Sequence, residues 1–307
     1  MAVTSSSLAA AGEDEVTALW SGLGYYARAR NLRRAAEVAV AEHGGALPRT
    51  EAELRALPGL GPYTAAAVAA IAFGVPTFAL DGNGARVMAR LGGVSDSIDE
   101  PATRARLREA GQREVPPDRP GDFTQAVMEL GATVCTPRAP RCGECPVRGA
   151  CRALGAGKVD ELPRRSRKPA RPSVRVACAC VTDGARVLMV KRGQGLLAGT
   201  WSLPEEVVTS GPPRDAARRL ATAAGVRAAS VDHRGAIRHV FTHRDVTAEV
   251  FRVQVARAGR SRADHRWVAV DGLGALGIST FTRKTVELGL DRARQMPSKR
   301  DNPRLRS

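Results

Sequence analysis

Apolar residues recur every three to four positions in the first half of the chain and every second position in parts of the second half. From residue 13 to about 155, stretches such as LRRAAEVAVAEHGG and PYTAAAVAAIAFG predict helices, each closed by glycine or proline. From about residue 174, VRVACACV, RVLMVKR and TAEVFRVQV predict strands, with helices around 214–224 and 282–294. The pattern therefore predicts a multidomain protein with an all-α part followed by an α+β part.

A stretch rich in proline and arginine, VDELPRRSRKPARPSVR, follows neither period and predicts an exposed linker. We expect a first domain at 1–155, a basic linker at 156–173 and a second domain at 174–295. The remaining residues, 296–307, predict a disordered basic tail.

The net charge of the chain indicates the kind of partner that it binds. The 307 residues include 47 Lys and Arg against 31 Asp and Glu, a formal net charge of +16. Such a balance favours a polyanionic partner such as nucleic acid. No apolar run approaches the roughly 18 to 20 residues of a membrane span, and the N-terminus lacks a signal-peptide pattern. We expect a cytoplasmic monomer, nucleoid-associated if the source is a bacterium, with no membrane partner.

Four cysteines lie close together in VCTPRAPRCGECPVRGAC, and the reducing interior of a cell favours metal ligands over disulfides there. They are Cys135, Cys142, Cys145 and Cys151. The spacing C-x6-C-x2-C-x5-C lacks the paired C-x2-C units or nearby histidines of most zinc sites. It suits a [4Fe-4S] cluster, with a zinc knot or four unligated thiols as the alternatives. Cys178 and Cys180 lie apart, in VRVACACV, and predict small core residues of a strand.

The segment LPGLGPYTAAAV places Gly59, Leu60 and Gly61 between two helical runs. Two glycines allow a tight turn with exposed N–H groups, and the next helix begins there with the positive end of its dipole. The arrangement predicts an anion site for a DNA phosphate, although a simple turn between helices has the same composition.

A carboxylate follows in FALDGNGARVMAR, where Asp81 ends an apolar run and precedes a helix. One interpretation is that Asp81 only caps that helix. The other is a carboxylate at the floor of a pocket, placed to stabilise a positive charge that develops on a sugar.

Together, the hairpin, the Asp-Gly-Asn segment and the cysteine loop resemble the endonuclease III superfamily of helix-hairpin-helix DNA glycosylases. The segment LWSGLGYYARARNL is similar to MutY-type adenine DNA glycosylases within that superfamily. The resemblance covers most of the chain, because the second domain resembles the Nudix-like C-terminal domain of the same family. It implies a base-excision repair enzyme that removes adenine paired with 8-oxoguanine or guanine in double-stranded DNA.

The resemblance also implies roles for single residues. Tyr63 occupies the place where bifunctional relatives carry a lysine nucleophile, so no Schiff base forms there and a monofunctional glycosylase is expected. Tyr63 and Asn83 would line the pocket of the flipped nucleoside, and Asp81 would stabilise the sugar cation or trap it covalently. Tyr25 would wedge into the base stack. Arg28 and Arg30 would contact phosphates, unless they form a solvated helix face.

In the second domain, Phe241, Thr242 and His243 match a Phe-Ser-His loop that reads 8-oxoguanine in the family, with threonine in place of serine. A Nudix hydrolase would need glutamates at a helix where this chain has Arg219, Thr222 and Ala223. Without carboxylates a magnesium site is not expected. We therefore expect recognition and not nucleotide hydrolysis.

The chain departs from the family pattern near its start. The family supplies a glutamic acid, as the acid that protonates adenine, from a helix upstream of the tyrosine motif, whereas only nineteen residues precede Trp20 here. Either a late start site or a truncated product would explain this. We expect the 307-residue polypeptide to have little or no glycosylase activity. The alternative functions are a mismatch thymine or uracil glycosylase and a non-catalytic lesion-DNA binder.

Overall fold

The computed structural model describes residues 4–167, 169–195 and 197–291, and its contacts divide the chain into two compact units. Among the described residues, those within 38–169 form the helical unit, and those within 1–37 and 170–307 form the sheet unit. The change of unit at 169 falls inside the predicted linker, 156–173. The first unit boundary, at 37, divides the predicted first domain, because the N-terminal residues hydrogen-bond to the C-terminal half of the chain. The predicted domain boundaries stay a prediction.

The helical unit consists of helices, as the sequence pattern predicted, and the sheet unit contains further helices. The α-helices in the described residues are α1 (Ser5–Ala10), α2 (Glu13–Leu19), α3 (Ala27–His43), α4 (Glu51–Ala56), α5 (Pro62–Phe73), α6 (Gly82–Gly92), α7 (Pro101–Arg113), α8 (Pro120–Thr133), α9 (Arg152–Gly155), α10 (Pro213–Ala223) and α11 (Thr280–Gly289). Proline in the first turn starts α5, and Gly74, at φ 67°, ends it in the left-handed conformation that glycine adopts without steric cost. No described helix is long and apolar enough to cross a membrane.

The core of the helical unit holds the segment that leads to Asp81. Phe78 is fully buried, with its ring centroid 5.8 Å from that of Phe123. Gly111 in α7 lies against the Phe78 ring, where any side chain would collide with it. Phe78 and Leu80 anchor the chain on the core side, so that Asp81 emerges at a fixed position at the start of α6.

The sheet unit contains a seven-stranded mixed sheet in its described residues. Its strands are β1 (Ser173–Thr182), β2 (Arg186–Lys191), β3 (Trp201–Ser202), β4 (Glu205–Val207), β5 (Ala228–Val240), β6 (Asp245–Val255) and β7 (His265–Ala269). Five strands follow the order β3-β2-β1-β6-β5, while β4 pairs with β1 and β7 pairs with β2. The β1–β6 pair is parallel and places Val176 beside Ala248.

The period of two in β1 places a helix on each face of the sheet. Ala177, Ala179 and Val181 belong to the core under α10, whereas Val176, Cys178 and Cys180 belong to the core under α11. The prediction that Cys178 and Cys180 are core residues of a strand is confirmed. Burial raises the pKa of Cys180 to about 12 and that of Cys178 further, so both remain neutral thiols.

The sequence pattern did not predict β5. This strand is largely exposed and has irregular register near residues 228–230 and 233–235, so its apolar residues do not alternate regularly. The predicted helix at 282–294 is observed as α11, which ends at Gly289. Residues 292–294 and the predicted tail at 296–307 lie outside the described residues.

Candidate active site and DNA-reading hairpin

The predicted hairpin joins α4 to α5 in the helical unit. Gly59 has φ 80°, a conformation that favours glycine, and Gly61 is the N-cap of α5 with no side chain bonded to the helix end. Open space lies where a Gly61 side chain would be. The first N–H groups of this 12-residue helix therefore face outward at the positive end of its dipole. That geometry suits a phosphate oxygen.

Asp81 is the N-cap of α6, where its Oδ1 accepts a hydrogen bond from the Gly84 N–H at 2.6 Å. The capping interpretation is therefore confirmed. It does not exclude the catalytic interpretation, because the half-buried carboxylate acts on Tyr63 across the site. The pKa of the Tyr63 phenol is raised, first by burial and then by the negative charge of Asp81. The Tyr63 ring is 39% exposed, and its hydroxyl lies 3.7 Å from Met128 Sδ.

Asn83 is held by a side chain that sequence reasoning missed. Arg86, only 4% exposed, donates from Nη2 to Asn83 Oδ1 at 2.9 Å and to the Gly131 carbonyl at 2.6 Å. Its Nε donates to the Cys135 carbonyl at 2.7 Å. Burial lowers the pKa of this guanidinium, which nonetheless stays charged. One buried cation thus joins the predicted pocket residue to the backbone of the cysteine loop.

Arg90, one turn further along α6 and 2% exposed, fixes the loop itself. It donates to the Thr136 carbonyl at 2.8 Å, to the Leu162 carbonyl at 2.7 Å and to Cys135 Sγ at 3.3 Å. The spacing of Arg86 and Arg90 in GARVMAR puts both on one helix face. Two arginines among small apolar residues at that spacing are the signal that could have identified them.

The four loop cysteines are half-buried and line one recess of about 390 Å³ that opens to solvent. Apolar residues of α6 and α8, including Val87 and Leu130, form its inner wall. Burial, together with the neighbouring thiols, raises the pKa of Cys142. In the described part of the chain no His, Cys, Asp or Glu group is spaced for a single metal ion. Four sulfurs around a shared recess fit a cube of irons better than a zinc knot.

In the sheet unit, Phe241, Thr242 and His243 form the turn between β5 and β6. The Phe241 ring packs edge-on against His239 at 4.5 Å and Phe281 at 5.5 Å between centroids. Burial, followed by the charge of Lys284, lowers the pKa of His239. Thr242 and His243 are exposed at the tip. The aromatic base thus holds a hairpin that displays a hydroxyl and an imidazole.

The N-terminal residues of the sheet unit place Tyr25 beside this hairpin. The Tyr25 hydroxyl lies 3.5 Å from Thr242 Oγ1, and its ring is 65% exposed. The Arg28 guanidinium lies 5.5 Å from the ring centroids of both Trp20 and Tyr25. Arg30 is half-buried and donates to the Ala198 carbonyl, so part of its guanidinium is occupied within the protein. Its contact with a phosphate stays a prediction.

The α10 helix carries no carboxylates at the positions that a Nudix hydrolase would use. Arg219 forms an exposed ion pair with Glu206 of β4, and the Thr222 hydroxyl donates to the Arg218 carbonyl. Ala223 ends the helix. The expectation that the sheet unit does not hydrolyse nucleotides stays a prediction.

Three segments of the sequence match known protein families. Residues 1–113 match the family described as HhH-GPD superfamily base excision DNA repair protein. Residues 135–151 match the iron-sulfur binding domain of endonuclease III, and residues 176–288 match the NUDIX domain. The predicted fold class, a helix-hairpin-helix domain followed by a Nudix-like domain, is confirmed. The predicted [4Fe-4S] cofactor is confirmed as well, with the cysteine loop as its site.

Two relatives match most of this chain, and a third matches half of it. The human adenine DNA glycosylase is 35% identical over 92% of this chain and 61% of its own length. The adenine DNA glycosylase of Schizosaccharomyces pombe is 30% identical over 90% of this chain and 71% of its own. That of Mycolicibacterium smegmatis is 43% identical over 50% of the chain and 52% of its own. The chain thus spans less than two thirds of the human relative.

Proposed function

The chain belongs to the adenine DNA glycosylase family, and on that premise we propose that it binds duplex DNA and hydrolyses the glycosidic bond of adenine opposite 8-oxoguanine or guanine. The observation that carries the proposal is that α5, whose first turn carries Tyr63, begins with an uncapped, outward-facing N-terminus, while Asp81 caps the start of α6 and its negative charge reaches the Tyr63 phenol. A carboxylate there stabilises the sugar cation, and the helix end holds the phosphate backbone.

The chemistry of the site favours base removal without strand cleavage. Tyr63 offers a phenol and no amine, so no Schiff base forms on its side chain and water completes the reaction. The Tyr63 phenol is neutral at physiological pH, as any tyrosine with an ordinary or raised pKa is, and it can donate a hydrogen bond to the extruded nucleoside. Asp81 remains anchored through Oδ1 to Gly84, so its charge keeps a fixed position while the glycosidic bond breaks.

The iron-sulfur cluster supplies a rigid core to the cysteine loop when it is bound. The protein side of this support comes from Arg86 and Arg90, whose buried guanidinium groups hold the loop backbone against α6. Asn83 receives its orientation from the same Arg86 group. We propose that the loop thereby fixes the lining of the nucleoside pocket.

We assign no carboxyl of residues 4–167, 169–195 or 197–291 to the protonation of adenine, so slow release is expected from the 307-residue polypeptide. The test therefore measures binding and release together. Duplexes carry adenine opposite 8-oxoguanine, guanine or thymine, and alkali cleaves the strand wherever a base has been lost. Slow release only from the first two duplexes, with tighter binding to the 8-oxoguanine duplex, is expected. Asp81→Asn should lower the rate of that release about 10²- to 10³-fold.

Other outcomes identify the alternatives. Two further duplexes carry thymine or uracil opposite guanine. Release of that thymine or uracil, with adenine retained in the other duplexes, would assign the chain to mismatch thymine or uracil removal. Selective binding of the lesion duplex with no base loss at long incubation would make it a non-catalytic lesion binder. Equal affinity for all duplexes would overturn the proposal. Sedimentation of the complex with one duplex tests our further proposal that the protein acts as a monomer.

A further inference from the structure

The N-terminal residues of the sheet unit are fastened to its C-terminal half by a buried hydrogen-bond cluster, which we name the Ile278 clasp. It consists of Ser21, Gly22, Tyr26 and Ile278. The Ile278 carbonyl accepts from Tyr26 Oη at 2.7 Å and from Ser21 Oγ at 2.8 Å. The Gly22 N–H donates to the same Tyr26 oxygen at 3.2 Å. Tyr26 and Ile278 are each 1% exposed, so the two bonds to the Ile278 carbonyl are shielded from water.

Close backbone approach and charge extend the fastening along α2. A side chain on Gly277 would lie 2.5 Å from Thr17 Cγ2, so glycine is needed where the two segments meet. Asp14 accepts from Lys191 Nζ at 2.8 Å and from Trp201 Nε1 at 3.3 Å. The N-terminal segment is therefore seated at several points and is not free to slide.

Tyr25 immediately precedes Tyr26, a buried member of the clasp, and its own backbone is strained. Its φ of 48° lies in the left-handed region, which a bulky side chain adopts only where its surroundings hold it. On one side the Gly24 carbonyl accepts from Trp20 Nε1 at 3.1 Å, and on the other side stands the buried Tyr26. This backbone directs the exposed Tyr25 ring to the hairpin, with its hydroxyl 3.5 Å from Thr242 Oγ1.

We infer that Tyr26 is a specificity-determining positioning residue: the Ile278 clasp holds Tyr25 and Thr242 in register, so that they act as one surface against the base opposite adenine. This rests on the proposed function. Tyr26 does not itself reach DNA, because it is buried. It acts by fixing the backbone on which the exposed tyrosine stands.

The test is Tyr26→Phe, which removes the hydroxyl and keeps the ring. The readout is the ratio of affinities for two duplexes, with 8-oxoguanine or guanine opposite 2′-fluoro-deoxyadenosine, whose glycosidic bond resists hydrolysis. We expect this ratio to fall about two- to tenfold, the range that one buried hydrogen bond spans. Affinity for an undamaged duplex should stay unchanged. Ser21→Ala removes the second donor to Ile278 and should move the ratio in the same direction, which keeps the test available if Tyr26→Phe folds poorly.

The matched control is Thr285→Val in α11. It also removes a buried hydroxyl, which donates to the Thr282 carbonyl at 2.9 Å, but it lies outside the clasp. The ratio should equal that of the wild type even if the melting temperature falls. In a double variant, built on a protein that already carries Thr242→Val, Tyr26→Phe should not lower the affinity ratio further. The surface that Tyr26 positions has already been lost in that protein.

The outcomes separate this inference from the function it rests on. A wild-type protein with no preference for 8-oxoguanine would overturn the proposed lesion reading. A wild-type preference that Tyr26→Phe and Ser21→Ala leave intact would overturn only the positioning role. Equal losses in Thr285→Val, or additive losses in the double variant, would also overturn it, since a merely structural effect behaves in that way.

Discussion

The pocket of the helical unit and the hairpin tip of the sheet unit are supported by different forces. In the helical unit, Asn83 is held by the buried guanidinium of Arg86, whose other donors fix the carbonyls of Gly131 and Cys135. In the sheet unit, only Phe241 is packed, while Thr242 and His243 face solvent. Substitution in the first region should therefore affect stability and chemistry together. Substitution at the tip of the second should affect recognition alone.

Asp81→Asn should have the largest effect on chemistry. We expect base release under single-turnover conditions to fall about 10²- to 10³-fold, the cost of losing one preorganised electrostatic group. Asparagine caps a helix about as well as aspartate, so stability should change little. Long single-turnover time courses and urea unfolding measure the two quantities. Release at the wild-type rate would show that the carboxylate at α6 is only a cap.

Arg86→Met should lower the free energy of unfolding by about 3 kcal/mol or more, because it leaves several buried acceptors without a donor. Iron content per chain should fall in parallel, since the loop backbone loses its hold on α6. Arg219→Met is the control, because its guanidinium forms an exposed ion pair that water and salt screen, so its loss should change the unfolding free energy little. Equal, small losses of unfolding free energy in Arg86→Met and Arg219→Met would contradict the claim that a buried guanidinium supports the pocket of the helical unit.

Thr242→Val should reduce the preference for 8-oxoguanine over guanine by about tenfold, because one hydroxyl is removed from the exposed tip. The unfolding free energy should stay within about 0.5 kcal/mol of the wild type. Thr247→Val, at another exposed threonine in β6, should change neither quantity. A marked loss of unfolding free energy in Thr242→Val would show that the exposed hairpin tip also stabilises the aromatic packing beneath it.

The smallest expected effect is on the way the unfolding free energy changes with pH. The folded-state pKa of Tyr63 is raised above 10.0 by burial and by Asp81, so folding favours the neutral phenol. Its contribution to stability is complete below pH 10, where the unfolded phenol is also neutral, and is lost as pH rises towards the folded-state pKa. Tyr63→Phe should thus lose less stability than the wild type between pH 9 and pH 11. Parallel urea titrations measure this, and identical pH profiles would contradict the shift.

The sequence was informative wherever a period or spacing reflects packing directly. The alternation in β1, the cysteine loop and the hairpin glycines were all predicted. Arg86 and Arg90 were not, because charged residues are ordinarily expected at the surface and only their buried acceptors explain them. Nor could the period of apolar residues indicate that Ser21 and Tyr26 bond to Ile278, since such contacts depend on tertiary folding over more than 250 residues.

The most direct measurement is the affinity of the 307-residue protein for duplexes that differ only in the base opposite adenine, at one fixed salt concentration. Phosphate contacts are common to all the duplexes, so any difference reports the reading of that base. We predict at least about tenfold tighter binding with 8-oxoguanine than with thymine. Equal affinities would contradict the assignment of this chain to the recognition of adenine mispaired with a damaged guanine.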